Sequence, residues 1–177
     1  MRIVKGAWAG RDLVSPGARI RPTAEEVRDR WLDLLAESLE GASVLDLFAG
    51  SGALGLEALS RGAARADFVE NGSASLHSLK ANVAALRARK RTRIFKRDAI
   101  PFVEALPAGA YDIAFADPPY GSKKLDRVVA RWQEVPFATV LGVEHLKEHR
   151  LEGKAKRYDF PGDTRLTLFK AQKRRSE

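Results

Sequence analysis

Asp117-Pro118-Pro119-Tyr120 brings together residue types that could do chemistry on a nucleobase. Two successive prolines, Pro118 and Pro119, fix the backbone and remove two amide donors, so carbonyl groups point outward without competing N–H groups. An exocyclic amine on a base is a weak nucleophile because its lone pair is delocalised into the ring. Hydrogen bonds from that amine to the Asp117 carboxylate and the Pro118 carbonyl would draw the nitrogen toward sp³ geometry and free the lone pair. Tyr120 would stack on the extruded base.

A second group of residues has the pattern of a nucleotide site. Gly50-Ser51-Gly52-Ala53-Leu54-Gly55 follows an apolar strand and opens a helix, the setting in which G-x-G-x-x-G carries meaning. Glycine serves where the backbone turns sharply or where a ligand must approach the main chain. Glu70 comes twenty residues after Gly50, and a carboxylate there can accept both hydrogens of a ribose diol. NAD and S-adenosylmethionine both present an adenosine to such a crevice and fit equally to this point. Asp46 tilts the balance, because an acidic loop entrance suits a cationic amino acid better than a pyrophosphate. Asp46 can also cap the amides of the glycine loop itself. Asp98 follows the third strand, where it could accept from an adenine amino group or simply N-cap the next helix. Phe48, Ser51 and Ala99 complete the expected cofactor lining.

The elements that must position these residues alternate. Val44–Phe48, Ala66–Val69, Thr92–Lys96, Tyr111–Ala116 and Ala138–Glu144 read as strands, and Lys156–Phe160 with Arg165–Phe169 as a closing antiparallel hairpin. Between them, Ala53–Ser60, Ser73 to about Arg89, Ile100–Leu106 and Leu125–Trp132 read as helices. A capping box at Thr23-Ala24-Glu25-Glu26 starts an earlier helix that Gly41 stops. Such alternation predicts a mostly parallel sheet with helices on both faces, whose ligands bind beyond the carboxyl ends of the strands. The active loops then follow Phe48, Val69, Lys96 and Ala116. Residues 1–177 form a single domain, with residues 1–20 as an N-terminal β-hairpin appendage.

Composition narrows the functional classes. With no cysteine among 177 residues there is no disulfide framework, no Cys-ligated metal and no thiolate nucleophile. No apolar run approaches the roughly 18 residues of a membrane span, and the start of the chain lacks the apolar stretch of a signal peptide, so a cytoplasmic location without membrane contact is expected. His145 and His149 lack a third ligand and read as surface residues rather than a metal site, while Trp31 and Trp132 read as core. The net charge of +8 is clustered in the first 21 residues, in Arg87–Arg97 and in the tail from Lys170. A basic rim is what a phosphate backbone favours. Arg2, Lys5, Arg11, Arg19 and Arg21, with Trp8 among them, combine cationic and aromatic contacts and are the expected RNA-binding group. The 87–97 run reads equally well as solvated surface.

The Asp46–Ala63 segment, Arg21-Pro22-Thr23-Ala24-Glu25-Glu26-Val27-Arg28 and Asp117-Pro118-Pro119-Tyr120 together resemble the RsmD family of bacterial 16S rRNA guanine-N2 methyltransferases. The resemblance runs from the N-terminal hairpin nearly to the C-terminus. It implies a Rossmann-like class I methyltransferase fold with a seven-stranded sheet, S-adenosylmethionine as donor, and a guanine of 16S ribosomal RNA, free or in an assembling small subunit, as acceptor. By the same resemblance Asp46, Gly50 and Gly52 would line the methionine half of the cofactor and Thr23 would lie near its carboxylate. Glu70 would bind the ribose, Asp98 the adenine edge, and Asp117 to Tyr120 the base. Asn71-Gly72 departs from the family, which often has another acid there. Three rivals remain: a DNA adenine-N6 methyltransferase, disfavoured by the lack of a recognition domain; an NAD-dependent oxidoreductase, which needs a proton relay not visible here; and a catalytically silent RNA-binding module.

Overall fold

The computed structural model describes residues 1–17 and 24–172. Seven strands form one sheet: β1 (Ser43–Leu47), β2 (Arg65–Glu70), β3 (Thr92–Lys96), β4 (Tyr111–Ala116), β5 (Ala138–Leu146), β6 (Lys156–Asp159) and β7 (Thr164–Lys170). Their order is β3-β2-β1-β4-β5-β7-β6. The first five run parallel, while β7 inserts antiparallel between β5 and β6. Among the described residues six α-helices accompany them: α1 (Glu25–Leu34), α2 (Ala36–Leu39), α3 (Ala53–Ser60), α4 (Ser73–Ala85), α5 (Ala99–Glu104) and α6 (Lys124–Glu134).

Strand periodicity sorts the core into two layers, because successive side chains leave opposite faces of a strand. Val44, Phe68, Phe115, Val140 and Leu166 face α1 to α4 and the N-terminal segment. Leu45, Val69, Ala116, Leu141 and Phe169 face α5 and α6 on the other side. Trp31 and Trp132 are buried, one in each layer.

Residues 1–17 form a tight hairpin with a single bridge pair, Arg2 with Asp12, rather than two full strands. Their side chains join the core through Ile3 and Leu13. Their backbone docks on α3, where Glu57 accepts from the Val4 and Lys5 amides and the Ser60 carbonyl accepts from Ala7. The approach is so close that a Cβ at Gly6, which has φ +86°, would overlap the Ser60 carbonyl oxygen. Behind this contact the guanidinium of Arg28 lies buried beside Glu57, with the Arg2 carbonyl as a further acceptor.

The helix expected to run to Gly41 breaks at Leu35 into α1 and α2, a bend that lets Leu32, Leu35 and Leu39 all reach the core. Thr23 of the expected capping box lies outside the described residues, and Ala24 occupies the N-cap without a side-chain hydrogen bond. The helix expected to reach Arg89 ends at Ala85. Arg87 then takes a left-handed φ of 54°, and Arg89–Arg91 form a separate 3₁₀ turn. Among the described residues no helix is long and apolar enough to cross a membrane.

Candidate functional site

Beyond the carboxyl ends of the parallel strands lies a cavity of about 730 Å³. The parity that sorts the core also selects its floor. Asp46 shares a face with Val44, Glu70 with Phe68, Asp117 with Phe115, and Glu144 with Val140, so the carboxylates at the ends of four strands open on the layer of α1 to α4. All four line the cavity.

The glycine loop is held from both sides. Phe48 leaves β1 with a left-handed φ of 58°, an uncommon conformation for an aromatic residue, and this turns the chain into the loop. Glu70 Oε2 accepts from the Gly50 amide at 2.8 Å, while Oε1 accepts from Asn71 and Gly72 at 2.9 and 2.8 Å. The carboxylate expected to bind a ribose thus organises the turn after β2 and the glycine loop together. Asn82 ties the loop from beneath, donating to the carbonyls of Ser51 and Val14. Gly52, with φ +80°, caps α3 and faces inward, where a Cβ would collide with Leu79; it is not part of the cavity wall.

Asp46 is only 3% exposed and accepts from the Gly55 amide at 2.9 Å. Burial pushes its carboxyl well above the usual carboxylate range. The Gly55 amide pulls it back, and the nearby charges of Asp117 and Glu70 push it further up. A cation in this cavity would relieve that repulsion, whereas a pyrophosphate would add to it.

Asp98 is an N-cap, accepting from the Ile100 amide at 2.9 Å, and its other oxygen takes the Lys124 ammonium at 2.7 Å. The Lys124 hydrogen bond, with the Ile100 amide, holds its carboxyl below the usual range. Asp98 does not line the cavity; Arg97, Ala99 and Lys124 do. Phe48, Gly50 and Ser51 are in the wall as expected, and Thr23 lies outside the described residues.

At the lip, Pro118 is buried, Asp117 half-buried and Tyr120 38% exposed. The Tyr120 hydroxyl donates to Glu144 Oε1 at 3.0 Å and lies 3.4 Å from Thr164 Oγ1. Burial, with the Glu144 charge, raises its pKa further above the neutral range, where a phenol is already a donor. Glu144 and Thr164, on β5 and β7, were not singled out from the sequence. Glu144 does carry one signal there, as an acid closing an apolar strand.

The basic hairpin is largely committed inside the molecule. Arg2 pairs with Glu25, Lys5 lies 2.9 Å from both Asp29 and Asp33, and Arg11 donates to the Ala85 carbonyl. Trp8 is half-buried against the core under the guanidinium of Arg91, which itself binds the carbonyls of Leu59 and Ala63. Arg19 and Arg21 lie outside the described residues. By contrast Lys96, Arg97 and Lys123, near the cavity mouth, are exposed, and no side-chain partner holds them among the described residues.

His145 is not at the surface. It is 2% exposed at the end of β5, which runs two residues past the expected Glu144, and it is bonded to Thr167 Oγ1 of the neighbouring β7 at 2.8 Å. His149 pairs with Asp126. Among the described residues no three His, Asp or Glu side chains converge as metal ligands.

A seven-stranded sheet of this order, with a glycine loop after β1 and a carboxylate ending β2, is the class I methyltransferase form of the Rossmann-like fold. The chain belongs to the RsmD family, whose profile, described as Conserved hypothetical protein 95, matches residues 1–158. It is 40% identical over 130 residues to Ribosomal RNA small subunit methyltransferase D of Escherichia coli, covering 73% of this chain and 65% of that protein, less than two thirds of its length. The solved structure of yhhF from Escherichia coli is 33% identical, with a TM-score of 0.83 over 96% of this chain and 97% of that one. A solved structure from Thermus thermophilus is 28% identical, with a TM-score of 0.78 over 97% and 99% of the two chains.

Proposed function

We propose that this protein transfers a methyl group from S-adenosylmethionine to the exocyclic N2 amine of a guanine in small-subunit ribosomal RNA. One observation carries the reading: the base-holding loop Asp117–Tyr120 and the nucleotide-type loop anchored by Glu70 and Asp46 open on the same cavity. The named activity of the Escherichia coli relative agrees with it.

The donor set fits the cofactor. Glu70 already gathers three backbone amides, and a ribose diol can share its oxygens. Asp46, held in a nearly dry position against Asp117 and Glu70, favours a ligand with positive charge. S-adenosylmethionine, when bound, supplies an electrophilic sulfonium methyl. Asp117 and the Pro118 carbonyl accept hydrogen bonds from the amine and localise its lone pair, and the Asp117 carboxylate takes the proton that the amine loses as it gains the methyl group. Tyr120 covers the base with its ring. Catalysis is then mainly positioning, the conversion of a two-body encounter into an aligned one. The partner RNA meets Lys96, Arg97 and Lys123 at the mouth, with Arg2, Lys5, Trp8 and Arg11 contributing only as far as their internal contacts yield.

The test is methyl mapping. Small subunits from cells lacking the gene are incubated with the protein and labelled S-adenosylmethionine, and the RNA is digested to nucleosides. Labelled N2-methylguanosine at one position is expected; label in adenine, or none, refutes the reading.

A further inference from the structure

We propose that Glu144 is the specificity-determining residue that selects guanine, by accepting the base's N1–H beside the amine that Asp117 holds. The inference rests on the methyl-transfer reading above and adds to it a residue with a defined contact.

The geometry starts in the sheet. β4 and β5 are parallel neighbours in which Phe115 stands opposite Gly142 and Ala116 opposite Val143. One step further brings Asp117 level with Glu144, on strands about 4.8 Å apart. Both belong to the face that carries Phe115, and both line the cavity. Two carboxylates on neighbouring strands that open on one cavity can converge on an edge that presents two adjacent donors.

Guanine has such an edge. Its N2 amine and N1–H are neighbours, and both donate. In adenine and cytosine the atom next to the exocyclic amine is a ring nitrogen with a lone pair, which a carboxylate repels. Asp117 alone therefore accepts any exocyclic amine, while Asp117 with Glu144 accepts only guanine's arrangement. A pocket that reads by buried hydrogen bonds rejects the wrong base strongly, because its own polar groups lose their partner.

Glu144 is built for that task. It is 6% exposed, so its hydrogen bonds form in a low dielectric. The Tyr120 hydroxyl donates to Oε1 at 3.0 Å and fixes the carboxylate's orientation, with Thr164 Oγ1 3.4 Å from the same hydroxyl. A carboxylate offers about four acceptor positions, so a hydrogen bond from Tyr120 and one from a base are compatible. Tyr120 accordingly has two tasks: its ring covers the base and its hydroxyl aims the residue that reads it.

The experiment uses the full chain, S-adenosylmethionine, and small subunits reconstituted with either guanine or 2-aminopurine at the acceptor position. 2-Aminopurine keeps the N2 amine but has a lone pair at N1. Wild-type protein should prefer guanine by about 100-fold in kcat/KM. Glu144→Gln, whose amide can turn and donate to N1, should lower transfer to guanine, raise transfer to 2-aminopurine, and shrink the ratio to less than about tenfold. S-adenosylmethionine affinity, measured by calorimetry, should not change. A merely structural role would lower both activities together and leave the ratio unmoved, which would overturn the proposal. Equal use of the two bases by wild-type protein would overturn it without any variant. Failure of the underlying reading is a different result: wild-type protein then yields a product other than N2-methylguanosine from the guanine substrate.

Discussion

Replacing Asp46 by Asn removes a buried charge while keeping an oxygen that can accept from the Gly55 amide. Two effects of opposite sign follow. Burial raises the folded-state pKa of Asp46 above its ordinary value, so between those two values the folded protein binds more protons than the unfolded chain. Wild-type stability therefore falls as pH rises through that window and levels off above it. The Asn variant does not share that loss, and its Tm should gain on the wild type as pH increases. Ligand binding moves the other way. A ligand atom touching the cavity wall at Asp46 lies about 5 Å or less from the carboxylate; at an effective dielectric of about 20, a unit charge there contributes about 3 kcal/mol. Ionising Asp46 costs part of that, and the open mouth screens more, which leaves about 1–2 kcal/mol, or about 5- to 30-fold in S-adenosylmethionine affinity. Calorimetry in buffers of different ionisation enthalpy counts the protons released on binding. Wild-type protein should release more of them than the variant, and its affinity should rise with pH where the variant's is flat. Equal affinity and equal proton release in the two proteins would refute the reasoning.

Glu70→Ala removes the acceptor for Gly50, Asn71 and Gly72 and should weaken S-adenosylmethionine by about 1–3 kcal/mol in calorimetric titration, whereas unchanged affinity would mean the ribose is held elsewhere. Asp117→Ala should abolish methyl transfer with cofactor affinity nearly intact, and a variant that kept most of its kcat would rule out lone-pair localisation by this carboxylate. Neutralising Lys96, Arg97 and Lys123 should flatten the salt dependence of RNA binding, each lost phosphate contact reducing the log–log slope by about 0.7–0.9. Lys5→Gln and Arg11→Gln should move that slope less, because Asp29, Asp33 and the Ala85 carbonyl hold those side chains; the reverse order would return the RNA surface to the hairpin.

The sequence by itself determined the alternation of strands and helices and the places where chemistry could sit. Thr92–Lys96 and Tyr111–Ala116 are strands with the ends read from periodicity, and Ala53–Ser60 is the helix that the glycine loop opens. These signals are local: a period of two or 3.6, a turn residue, a strand followed by glycines. A parallel sheet then brings Asp46, Glu70 and Asp117 to one edge, since every parallel strand ends on the same side. Lateral order and burial are not local, and only the tertiary structure decided them. Glu144 reaches the site because β5 lies beside β4, and Thr164 because β7 inserts next to β5. His145 finds its partner Thr167 by the same insertion. Charge was the least legible property. The cations of the hairpin count toward a basic protein in any sum over the sequence, yet α1 folds Glu25, Asp29 and Asp33 against Arg2 and Lys5. Electrostatic partners are chosen by distance in space, and a distance of a few ångströms between residues 5 and 33 exists only once the core that carries both has closed.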